Sequence, residues 1–174
     1  MYCLICAETA IFTIFVVAYL FYIGKSVSGP KPQDVLHAPI FYSICLLSSS
    51  LTIHAAVRKL VAGDMKAFAR FWLLTIALGA TFLYGTAREW IHLIFHDGLT
   101  VSTNLFGTTY YSLVGLHAFH VTMGLLALTL VALFYFSAGL RREHAERLEV
   151  LSMYWHFVDA VWVVVFTVVY VIGV

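Results

Sequence analysis

Between Gly107 and Val174 the sequence carries two apolar runs long enough to cross a lipid bilayer, and each holds ionisable side chains at helical spacing. The first contains GTTYYSLVGLHAFHVTMG and the second LEVLSMYWHFVDAVW. A charged or strongly polar side chain inside hydrocarbon costs at least about 2.5 kcal/mol on insertion scales, so within a span it normally has a partner or a purpose. His117, His120, His156 and Asp159 are therefore the first candidates for function. Composition sets the class: 62% hydrophobic residues, 11% charged residues and a mean hydropathy of +0.93 leave too little charge to cover a soluble domain of 174 residues. An integral membrane protein is expected. A formal net charge of +1 with no basic block excludes an electrostatic nucleic-acid footprint.

The expected fold is all-α, a bundle of five transmembrane helices forming one domain over residues 1–174, with spans at 3–23, 38–60, 67–92, 106–137 and 150–173. Each span suffices at about 1.5 Å per residue to cross a core about 30 Å thick. The first run lacks the basic leader and small-residue cleavage site of a secretory signal, so it reads as a retained helix. Lys25 to His37, with Gly29, Pro30 and Pro32, reads as a loop, and Gly63-Asp64 as a tight turn between antiparallel helices. Positively charged loops stay on the cytoplasmic side. Arg58, Lys59, Lys66 and Arg70 in the second link and Arg141, Arg142 and Arg147 in the fourth outweigh Lys25 and Lys31 in the first. The N-terminus is thus expected inside and the C-terminus outside. Cys3, Cys6 and Cys45 sit in apolar runs without the second cysteine pair that would complete a metal site, and are expected to be small lipid- or helix-facing residues.

Depth along the spans orders the remaining polar groups. Glu8, His54, His156 and Asp159 fall in the inner half and could converge, while His117 and His120, three residues apart, share a face nearer the middle. Arg88 and Glu89 lie toward the outer end of the third span and point about 100° apart, so each is expected to pair with another helix or to reach the headgroups. His156 and Asp159, at i and i+3, suit a His–carboxylate pair, and Trp155 and Trp162 suit packing or lipid contact. Three readings of these groups stay open: haem ligation, for which the histidine depths match poorly; a proton or ion pathway; and interhelical hydrogen bonding that fixes the bundle at about 0.6–2 kcal/mol per group. Physics alone favours the last.

Two motifs add a resemblance. GLHAFHVTMG, from Gly115 to Gly124, resembles the G-x-H-x-x-H-V-x-x-G pattern of subunit III of the haem–copper oxidases, the cytochrome c oxidase and quinol oxidase family. YWHFVDAVW, from Tyr154 to Trp162, is similar to that family's YWHFVDxVW, with Glu149 five residues before the Tyr. Ala7-Glu8, Gly63-Asp64, Leu78-Gly79, Glu89 and Phe106-Gly107 with Tyr110-Tyr111 extend the resemblance over essentially the whole chain.

The resemblance implies a non-catalytic subunit packed beside subunit I, with subunit II in the same complex. It implies no haem, copper or active site in this chain, those cofactors belonging to the partner subunits. Stabilising subunit I, assisting proton uptake and holding phospholipid in a cleft open to oxygen are the implied roles. Longer members have seven helices, and this chain starts where their third begins, which favours a bacterial plasma membrane. Glu8, His54, His117, His120, Glu149, His156 and Asp159 are then the expected polar core, and no metal site is expected among them. Arg58, Arg141 and Arg142, with Trp155 and Trp162, are candidate lipid contacts, with ordinary positive-inside anchoring as the other reading of the arginines. A subunit-III-like accessory protein of a nitric oxide reductase is the alternative. A stand-alone transporter is disfavoured, because repeats or broken helices are not detected.

Overall fold

The computed structural model describes residues 2–25, 32–36, 38–138 and 144–173; Arg141 and Arg142, two of the candidate lipid contacts, lie outside them. Its elements are α1 (Tyr2–Tyr22), a single turn α2 (Pro32–Val35), α3 (Ile40–Ala62), α4 (Met65–Phe95), α5 (Leu105–Ala138) and α6 (Ala145–Phe166), the last running on into a π-helical turn, Thr167–Ile172. Among the described residues five helices are long and apolar enough to cross a membrane.

Two spans are longer than hydropathy alone suggests. α4 continues through Arg88 and Glu89 to Phe95, and α6 begins at Ala145, before Glu146, Arg147 and Glu149. Charges end an apolar run without ending a helix, because Arg and Glu are good helix formers.

The turn at Gly63-Asp64 forms as its residue types dictate. Gly63 takes a left-handed φ of 81° that a side chain would oppose, its N–H donates to Leu60 O, and the Asp64 N–H donates to Lys59 O. These bonds satisfy carbonyls that the end of α3 leaves open. Asp64 then caps α4 by accepting the Ala67 N–H at 3.0 Å, which explains why that helix starts at Met65. Asn104 does the same for α5, accepting from Gly107 N–H at 2.8 Å.

The chain contacts divide into two compact units: residues 1–39, 85–119 and 160–174 make the first, and residues 40–84 and 120–159 the second. In the second unit α3 buries Ser43, Leu46, Ser49, Ile53, Ala56 and Leu60, spaced three or four apart and so along one stripe. Trp155 is completely buried there, filling the space left by two glycines. A Cβ on Gly79 would lie 2.9 Å from its Cη2, and one on Gly124 2.8 Å from its Cζ3. Small residues let membrane helices approach closely, where dispersion replaces the hydrophobic effect as the driving force. Trp72 is also buried, and its indole N–H donates to Leu128 O at 2.9 Å. In the first unit Tyr19, Phe106 and Tyr110 form a buried aromatic cluster, and Tyr111 donates to Leu99 O at 2.8 Å.

Candidate functional site

Within the second unit the structure brings four of the expected residues to one place. His54, Arg58, Glu149 and His156 line a cleft of about 380 Å³ with Val57, Val61, Ser152 and Met153. Its walls are the C-terminal half of α3 and the first turns of α6. The His54 and His156 rings stand 6.4 Å apart. His54 and Glu149 are exposed rather than part of a sealed core, because they sit on the open walls of this cleft.

Behind the cleft a hydrogen-bonded string runs inward. His156 Nε2 meets Ser152 Oγ at 3.3 Å, His156 Nδ1 meets Ser50 Oγ at 3.0 Å, and the Ser50 hydroxyl donates to Asp159 Oδ2. Asp159 is 3% exposed, and its Oδ1 has no hydrogen-bond partner among the described residues. His156 and Asp159 therefore form no direct pair; a serine from α3 joins them. Ser49 accepts the Trp155 N–H at 2.8 Å on the neighbouring position. Residue-by-residue reading missed Ser49, Ser50 and Ser152. Their signal was present as a serine triplet, Ser48 to Ser50, inside an apolar run, and as a serine one turn before His156.

The other candidates fall elsewhere. His120, in this unit, is buried, and its carbonyl accepts the Tyr154 hydroxyl at 3.2 Å. In the first unit Glu8 is half-buried on α1, and His117 is fully buried, stacked on Trp162 at 4.9 Å with the Phe12 ring at 6.5 Å. Glu89 accepts from Tyr170 at 2.7 Å and from Tyr110 at 3.2 Å, while Arg88 is exposed. The two neighbours thus diverge around α4. Trp155 and Trp162, considered as lipid contacts, are 0% and 1% exposed and offer no surface to lipid within their units; glycine gaps and the His117 ring take up their faces. Cys3 and Cys6 are exposed thiols on α1. Among the described residues no three His, Cys, Asp or Glu side chains are grouped to hold a metal ion.

Residues 3–174 match the family described as cytochrome c oxidase subunit III. The chain belongs to the subunit III family. Curated relatives are described as subunit 3 of cytochrome c oxidases or of quinol oxidases. Cytochrome c oxidase subunit 3 of Alkalihalophilus pseudofirmus is 34% identical over 96% of this chain and 82% of its own length. Its counterpart from Synechocystis is 37% identical over 95% of this chain and 71% of its own length. Quinol oxidase subunit 3 of Bacillus subtilis is 29% identical over 96% of this chain and 82% of its own length. The cleft, the serine-bridged His156 and the Trp155 socket are thus features of a subunit III, in which the YWHFVD stretch supplies Trp155, His156 and Asp159.

Proposed function

We propose that this chain, an accessory subunit of a haem–copper terminal oxidase, acts by packing directly against subunit I, with subunit II in the same complex. Haem and copper reside in those partners. Residues 1–174 form one transmembrane domain of a bacterial plasma membrane, N-terminus inside and C-terminus outside, so that Arg58 and Glu149 face the cytoplasmic headgroups. The chain stabilises subunit I through turnover, holds phospholipid and supports proton uptake and oxygen access. The family match over residues 3–174 carries the reading. The ionisable cleft where α3 ends and α6 begins supports its lipid and proton elements.

The test is purification in mild detergent through a tag on this chain, with a reduced-minus-oxidised spectrum and identification of co-purifying subunits. Recovery of oxidase subunits I and II, with haem in proportion to subunit I, is expected. A chain that purifies alone, or one that carries a b-type spectrum by itself, overturns the proposal.

A further inference from the structure

The orientation of the string behind the cleft follows from donor bookkeeping. Ser50 has one hydroxyl proton, and it is given to Asp159 Oδ2. Toward His156 the Ser50 oxygen must therefore accept, which places the imidazole proton on Nδ1. A neutral ring then leaves Nε2 as an acceptor for the Ser152 hydroxyl. All three bonds point the same way: Ser152 to His156, His156 to Ser50, Ser50 to Asp159.

We propose that Ser152, His156, Ser50 and Asp159 form a proton relay that exchanges the buried Asp159 carboxyl proton with water in the cleft. The step balances without any other reactant. A hydrated proton in the cleft passes to Nε2, directly or through Ser152, leaving water behind, as the Nδ1 proton passes to Ser50 Oγ and the Ser50 proton passes to the Asp159 carboxylate at Oδ2. Afterwards every bond in the string is reversed, Asp159 donating to Ser50, Ser50 to Nδ1 and Nε2–H to Ser152. The reverse transfer restores the start.

Two observations beyond the hydrogen bonds support a relay. His156 and Ser152 both line the cleft, so the string begins at a surface that water can reach. Asp159 ends it as a buried carboxyl whose Oδ1 has no hydrogen-bond partner among the described residues, so its second oxygen is left to a water or an incoming donor. The charged and titratable groups facing the string from α3 and α6 are His54, Arg58 and Glu149, all at its outer end.

The relay deepens the proton element of the proposed function, but it concerns a carboxyl of this chain and is read independently of oxygen reduction. In the intact complex, difference infrared spectra titrated from neutral to acid pH should show a carboxyl band that Asp159→Asn removes. Transfer to heavy water should shift that band promptly in the wild type. Ser50→Ala and His156→Gln should each slow the shift by roughly 100-fold, the lower range for removing a positioned proton-transfer group. Ser50→Thr, which keeps the hydroxyl, should restore it. Exchange at the wild-type rate in both Ser50→Ala and His156→Gln, or a spectrum in which Asp159→Asn removes no band, overturns the relay while leaving the subunit's place in the oxidase untouched.

Discussion

Gly124 of α5 and Trp155 of α6 interlock: the indole ring occupies the volume a side chain at Gly124 would need, with 2.8 Å between Trp155 Cζ3 and the position of a Cβ there. The ring is held on its other sides, because it also fills the space beside Gly79 of α4, where a Cβ would fall 2.9 Å from Cη2, and Ser49 of α3 holds its N–H at 2.8 Å. Gly124→Ala should therefore overpack this site and destabilise the subunit by about 1–3 kcal/mol. The check is the fraction of the chain that stays with the oxidase during graded heating in detergent. Wild-type retention would mean that α5 can shift away at no cost.

Asp159→Asn keeps the shape of the side chain but exchanges a charge-assisted acceptor for an amide. The Ser50 hydroxyl is left with a weaker partner, worth about 1 kcal/mol in place of about 1.5–3. The oxidase should assemble with an unchanged haem spectrum and lose activity faster during sustained turnover. A fall in haem content per subunit I in the intact complex would contradict this, because no haem contact is assigned to Asp159.

Glu89 gathers the hydroxyls of Tyr110 and Tyr170, which themselves stand 3.5 Å apart. Deleting one hydroxyl leaves the carboxylate with the other, so the two losses should not add. Tyr110→Phe and Tyr170→Phe are each expected to cost about 0.6–1.7 kcal/mol, from the average to the largest value measured for hydrogen bonds between membrane helices. Their double variant should depart from the sum by at least about 0.5 kcal/mol. Denaturant titration of the complex through the four members of the cycle measures the coupling. Strict additivity would show that Glu89 serves the two tyrosines independently.

The five spans were legible because lipid demands long apolar helices, and the cap at Gly63-Asp64 was legible because only particular residues suit it. The YWHFVD stretch was also visible, but its internal arrangement was not. Spacing places His156 and Asp159 on one face of α6 and suggests a pair, whereas the structure puts Ser50 of α3 between them. Helical periodicity describes neighbours within one helix and carries nothing about which residue of another helix arrives opposite. Trp155 and Trp162 illustrate the same limit: an indole in a span suits the interface as well as the interior, and only the glycines at 79 and 124 and the ring of His117 decide for the interior. His54 errs the other way. Its depth in the run suggested burial, but α3 and α6 leave the cleft open beside it.

The cleft places one guanidinium, Arg58, opposite one carboxylate, Glu149, and the two should affect an anionic lipid in opposite directions. A basic side chain near the surface attracts an anionic headgroup by about 1 kcal/mol, or about fivefold in occupancy. Arg58→Gln should lower the anionic phospholipid retained per complex by about that factor, and Glu149→Gln should raise it. Quantifying lipid in the intact oxidase by native mass spectrometry, after equilibration with a fixed anionic lipid fraction, gives both numbers. Salt supplies the internal control, since at about 1 M the screening length shrinks to about 3 Å and the difference between the two variants should contract. If both variants retain lipid as the wild type does, Arg58 is an anchor of orientation alone and the headgroup is held elsewhere. If both lose it equally, the cleft recognises the shape of the headgroup rather than its charge.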